Sequence, residues 1–140
     1  MRIDYEYLNN FLNLVLDNGT SDFKLNAESF QTLWPKGDDE ALDKLVFHLE
    51  ILADQNCLES ALTNKDSIGF RRTGSGWIVS LVPLRLTATG HQFAADITKP
   101  TVIDQLKTSF ADAGPNEVVK IAFALSKNVL EKKLKQITDL

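Results

Sequence analysis

The side chains whose types invite chemistry are few: two histidines, His48 and His91, one cysteine, Cys57, and a group of cations led by Arg71 and Arg72. A cysteine nucleophile needs a base within hydrogen-bond reach and a third group that orients the base. His48 and Cys57 lie nine residues apart around a helix end, with no evident third group. A buried structural thiol is therefore the expectation for Cys57. Two histidines and one cysteine do not make a spaced ligand set for zinc. No Gly-rich phosphate loop and no paired catalytic groups stand in the chain. The expectation is a protein that is not an enzyme and takes no cofactor or metal. His91 is expected to pack at the first turn of its helix and bond a carbonyl, with Gly90 allowing a close approach to the sheet.

The cations suggest a different chemistry. Lys65, Arg71 and Arg72 cluster among Gly69, Gly74 and Gly76, and Arg85 follows. Arginines on a flexible hairpin reach phosphates or a minor groove. The plainer alternative is a solvated hairpin tip whose charges keep an edge from pairing with other chains. Upstream, Asp38, Asp39, Glu40 and Asp43 open a long apolar helix that also carries Lys44 and His48. If that helix enters a major groove, Lys44 and His48 are its base readers, because carboxylates there serve only as acceptors from cytosine N4. The alternatives are an acidic helix start that complements the helix dipole, or an acidic face for a basic protein partner. In the second case Asp39, Glu40 and Asp43 would bind the partner, joined by Phe47 and Ile51.

The elements that position these groups follow from periodicity. Apolar residues at spacings of three and four predict a first helix over about 3–16, ended by a left-handed turn at Asn18-Gly19. A short strand is expected over 23–26 and a short helix over 27–34, stopped by Pro35. A long helix capped by Asp38 or Asp39 runs to about 55, and Asn56 resembles a C-terminal cap. Strands over 57–62 and 77–82 are expected to pair as a hairpin with a loose tip, limited by Pro83. Thr87 caps a helix over about 88–96, and further helices follow over about 102–112 and 117–137. The final helix has apolar residues on more than one side, so Leu125 and Val129 are expected to bind a partner. A helix of that kind must dock on its own domain or on a second copy, and a homodimer is expected.

The bulk numbers agree with such an assembly. Hydrophobic residues make up 44% and charged residues 24%, the balance of a globular chain rather than a disordered one. No apolar run approaches the ~20 residues that span a bilayer, and the first residues are acidic where a secretory leader is apolar. With a single cysteine, a cytoplasmic setting without membrane partners is expected. Charge is divided unevenly. Up to Leu62 there are 4 basic and 12 acidic residues, and from Thr63 onward 11 basic and 7 acidic. A protein held by phosphates shows a basic face, yet the candidate recognition helix lies in the acidic half.

Two stretches carry a resemblance. The run from Leu45 to Glu59, containing His48-Leu49 and Leu52, resembles the end of recognition helices in winged-helix regulators, with Asn56 and Cys57 near the usual glycine. Leu86-Thr87-x-x-Gly90-His91-x-Phe93, followed by Ile97, is similar to a hallmark of an uncharacterised family of small winged-helix proteins of bacterial genomes and prophages. The resemblance implies an α+β winged helix-turn-helix over 1–97 with a C-terminal helical extension over 98–140, docked or dimerising. It implies no activity. Two functions therefore stand as expectations. One is a DNA-binding regulator of phage or mobile-element type, gripping double-stranded DNA through Lys65, Arg71, Arg72 and Arg85. The other is a winged-helix module that binds a protein, an adaptor or inhibitor in phage-host conflict.

Overall fold

The structure is a computed structural model that describes residues 1–62 and 67–139. Over these residues the chain is α+β, with five α-helices and two small antiparallel sheets. Helix α1 (Tyr5–Asp17) starts where the Asp4 carboxylate accepts from the Tyr7 amide at 3.0 Å, and it buries Leu8, Phe11, Leu12 and Val15. Its end differs from expectation. Asn18 is extended rather than left-handed, and its side chain instead bonds Thr20 and the Asp22 carbonyl. The expected strand over 23–26 is reduced to one bridge, in which Phe23 exchanges both backbone bonds with Leu84 at 2.8 Å. The expected helix over 27–34 is a single 3-10 turn (Glu28–Phe30). Its role is to deliver Phe30 to a ring cluster with Phe11 and Phe23, centroids 5.4 to 6.0 Å apart.

Helix α2 (Asp39–Asp54) is capped by Asp38, whose carboxylate accepts from the Ala41 amide at 3.0 Å. It buries Leu45, Val46, Leu49 and Leu52, and stops where Asn56 takes φ 60°. An asparagine tolerates that left-handed turn, which lets the Cys57 amide reach back to the Leu52 carbonyl at 2.8 Å.

The strand pairing corrects the expected hairpin. Strand β1 (Leu58–Ser60) pairs with β4 (Leu84–Leu86), Leu58 facing Leu86 and Ser60 facing Leu84. Strand β3 (Gly76–Val79) pairs instead with β2 (Phe70–Thr73). Pro83 does not end the first ladder, because its carbonyl accepts from the Ala61 amide at 2.8 Å and a proline lacks only the donor. Burial selects the pairing: Leu58, Leu84 and Leu86 are buried, whereas Trp77 and Val79 are only half-buried.

Helices α3 (Ala88–Ile97), α4 (Pro100–Ser109) and α5 (Pro115–Thr138) complete the chain. Thr87 caps α3 through a bond from the Gly90 amide to its hydroxyl, 3.0 Å, and the same hydroxyl donates to the Asn56 carbonyl. Gly90 sits against β1, and a Cβ there would lie 1.9 Å from the Cys57 carbonyl oxygen. One core cluster takes in α1, α2 and α3 together with Val102 and Leu106 of α4 and Val118 and Ala122 of α5. The extension therefore shares the core of the preceding residues through α4 and the first half of α5.

Candidate nucleic-acid and partner interfaces

Three surfaces carry the residues singled out by the sequence. The first is α2. Its amphipathic spacing turns Leu45, Leu49 and Leu52 inward, and the exposed positions are Asp39, Glu40, Asp43, Glu50 and Asp54, all of them acidic. Lys44 is not free to read bases. Its ammonium sits 2.8 Å from the Asp4 carboxylate and 4.9 Å from the centre of the Tyr7 ring. Burial works to raise the Asp4 carboxyl, but the hydrogen bonds from Lys44 and the Tyr7 amide outweigh it and hold it below the usual range.

His48 is corrected more strongly. It is 2% exposed, and both ring nitrogens are engaged: Nδ1 donates to the Lys44 carbonyl at 2.8 Å, and Nε2 accepts from the Asp4 amide at 3.0 Å. A carbonyl can only accept and an amide only donate, so the ring is the neutral Nδ1–H tautomer. Burial pushes its pKa down, against the Lys44 carbonyl and the Asp4 charge. Tyr7 lies over the ring at 4.6 Å, its hydroxyl pushed up to about 12 by burial and by Asp4. This node joins the start of α1 to α2, and it has no nitrogen left to serve Cys57 as a base. Cys57 itself is buried, its thiol pushed up to about 11.

The second surface is the β2–β3 hairpin. Its register puts Arg72 opposite Trp77 and Arg71 opposite Ile78, so the two arginines project from opposite faces. The Arg72 guanidinium stacks over the Trp77 ring at 4.4 Å, and the Trp77 indole N–H donates to Asp43 at 2.9 Å. This contact ties the hairpin to α2. Arg71 is exposed beside Ile78, itself 46% exposed. Arg85 does not extend the same patch: it lies on β4 and pairs with Glu59 across the β1–β4 ladder. Lys65 lies outside the described residues. Trp34 packs on Phe70 of this hairpin, centroids 6.2 Å apart, and is half-buried.

The third surface is the extension. Phe47 and Ile51, half-buried on α2, line a groove of about 490 Å³ with Ile3 and the α4–α5 turn. Leu125 packs on the core and Val129 is half-buried, which turns them inward rather than toward a partner. The exposed apolar residues of α5 are instead Phe123, Leu130, Leu134 and Ile137, 50 to 68% exposed. Phe123 and Val119 line a second groove, about 500 Å³, against Phe93 and Asp96 of α3. Asp96 is 1% exposed. Its Oδ1 accepts from Gln92 at 2.9 Å, and its Oδ2 has no hydrogen-bond partner among the described residues. Lys99 stands 3.9 Å from Oδ1, an ion pair beyond hydrogen-bond reach, and donates instead to Ser126 (2.6 Å) and the Ala95 carbonyl (3.1 Å).

The sequence reading missed Phe123 and Asp96. Helical spacing of Phe123 with Leu130 would have signalled the first; a lone acid beside Phe93 and Ile97 was the signal for the second. His91 is exposed, not packed on a carbonyl through its ring. Among the described residues no His, Cys, Asp and Glu side chains gather to hold a metal, and no helix is long and apolar enough to cross a membrane. In comparisons with protein-family models, curated proteins and solved structures, none matches this chain.

Proposed function

We propose that this chain is a winged-helix protein that works as a protein-interaction module, presenting the acidic face of α2 to a basic partner. The fold reading rests on element order. Helix α1, the Phe23 bridge, the 3-10 turn, α2, β1, the hairpin and β4 follow one another, with β4 lying between Phe23 and β1. In that arrangement α2 is the recognition helix and β2–β3 the wing. The functional reading rests on one observation: the exposed positions of α2 are carboxylates, while Lys44 is paired with Asp4 and His48 is buried. Such a face repels a phosphate backbone and attracts a basic surface.

A second reading, DNA binding through the wing, is favoured by the exposed Arg71 and by Arg72, which is exposed although stacked on Trp77. Fluorescence anisotropy with random duplex DNA separates the two. The expected outcome is no binding by the natural chain even at low salt, and binding by Asp39→Lys/Glu40→Lys/Asp43→Lys, whose α2 would then meet phosphate with cations. Binding by the natural chain that falls steeply with salt and is lost in Arg71→Ala would overturn the module reading and establish the DNA-binding one.

A further inference from the structure

The second half of α5 is largely undocked among the described residues. From Lys127 to Thr138 every residue except Val129 is exposed. Three turns of undocked helix are marginal in water, and these turns carry large apolar side chains. Phe123, Leu130, Leu134 and Ile137 fall within about 60° of one another at the ~100° per residue of an α-helix. This stripe lies about 100° around the helix from the face that Ala122 turns to the core. It is a second seam, continuous at Val119 and Phe123 with the groove against α3.

We propose that two copies of this chain pair antiparallel through this seam, the end of α5 from each lying in the α3–α5 groove of the other. Isologous pairing requires each contact to occur twice. With Phe123 opposite Leu130 of the second copy, Val119 falls opposite Leu134, and the two-fold axis passes beside Lys127. The charges then agree with the apolar register. Glu131 comes level with residue 122 of the other copy, within about 3 Å along the axis of Lys120 and on the same side of the seam. Lys133, on the side that faces α3, comes level with the groove in which the Asp96 Oδ2 lacks a partner. The ammonium of Lys133 supplies the donor that this carboxylate lacks, once the exposed Gln92 side chain gives way. The two Lys127 side chains meet near the axis, where they extend toward solvent. A parallel pair would set Lys133 beside Lys133 and leave Asp96 unanswered. The inference uses neither the acidic face of α2 nor the wing, so it stands apart from the module reading.

Sedimentation equilibrium of the full chain tests the pairing. The expected result is a mass of twice 15.6 kDa at about 100 μM, and a monomer of unchanged helicity for Leu130→Glu/Leu134→Glu. Glu131→Lys alone is expected to weaken the dimer about tenfold, and Lys120→Glu/Glu131→Lys to restore it. Asp96→Asn is expected to weaken it to a similar degree. Direction is read by oxidising variants with one added cysteine beside the buried Cys57: Lys127→Cys should cross-link between copies and Ile137→Cys should not. A monomer throughout the concentration range, a dimer indifferent to Leu130→Glu/Leu134→Glu, or efficient cross-linking through Ile137→Cys would each overturn the proposal.

Discussion

His48 shows how a residue that invites chemistry can be a structural joint. Its two nitrogens hold a carbonyl of α2 and the amide of Asp4, and protonation would set an N–H against that amide. Burial lowers its pKa from the ordinary 6.5, so the unfolded chain binds this proton more readily than the folded one. The stability it contributes is complete above about pH 6.5 and is lost as pH falls through the lowered folded value. Asp4, also lowered, contributes above its ordinary 3.8 and is lost only further down. Urea unfolding should therefore show the natural chain losing stability between about pH 7 and pH 5, with a smaller loss over that window in His48→Gln. Gly90 is a second joint. A methyl group there would stand 1.9 Å from the Cys57 carbonyl, so Gly90→Ala should destabilise by about 3 kcal/mol in the same assay. Thr87 and Gly90 are legible in the sequence because a cap and a close approach are local demands. The burial of His48 is not, because its partner Asp4 lies 44 residues away.

At the scale of elements, the long helices are legible and the strands are not. Helix α2 announces itself through four apolar turns and an aspartate cap, and both survive into the structure. Strands of three or four residues carry no period, and what selects β4 as the partner of β1 is the burial of Leu84 and Leu86 in the shared core, which no local pattern announces. The same limit turns the expected helix over 27–34 into one turn around Phe30. That turn still matters: Phe30→Ala should cost about 3–5 kcal/mol, since it empties a site shared with Phe11 and Phe23. The hairpin is held more lightly. Replacing Trp77 by Phe removes the bond to Asp43 and keeps an aromatic ring under Arg72. A loss of about 1 kcal/mol or less is expected by thermal unfolding, with the hairpin amides exchanging faster than those of β1.

For the whole molecule, the uneven charge becomes spatial. The acidic first half presents α2, and the basic second half ends in an extended α5 bearing Lys127, Lys132, Lys133 and Lys135. This division is readable from the sequence; which side of α5 faces outward is not, because Leu125 and Leu130 look alike until packing assigns one to the core. A basic partner should therefore bind at the α2 end. Its affinity should fall as salt rises from about 50 to 300 mM, and raising salt should leave the apolar seam of α5 less affected.

The latch at Thr87 also sets what the hairpin is free to become. Its hydroxyl and amide bind the Asn56 and Cys57 carbonyls, and β1 pairs with β4, so the hairpin of β2 and β3 is anchored at one fixed doorway. Each doubling in the length of a segment closed at its ends costs only about 0.6 kcal/mol. The body thus tolerates a longer tip between β2 and β3, while the Trp34–Phe70 and Trp77–Asp43 contacts hold the base of the hairpin to it. The tip between Thr73 and Gly76 is therefore where length can change, and inserting residues there should leave the helical body folded.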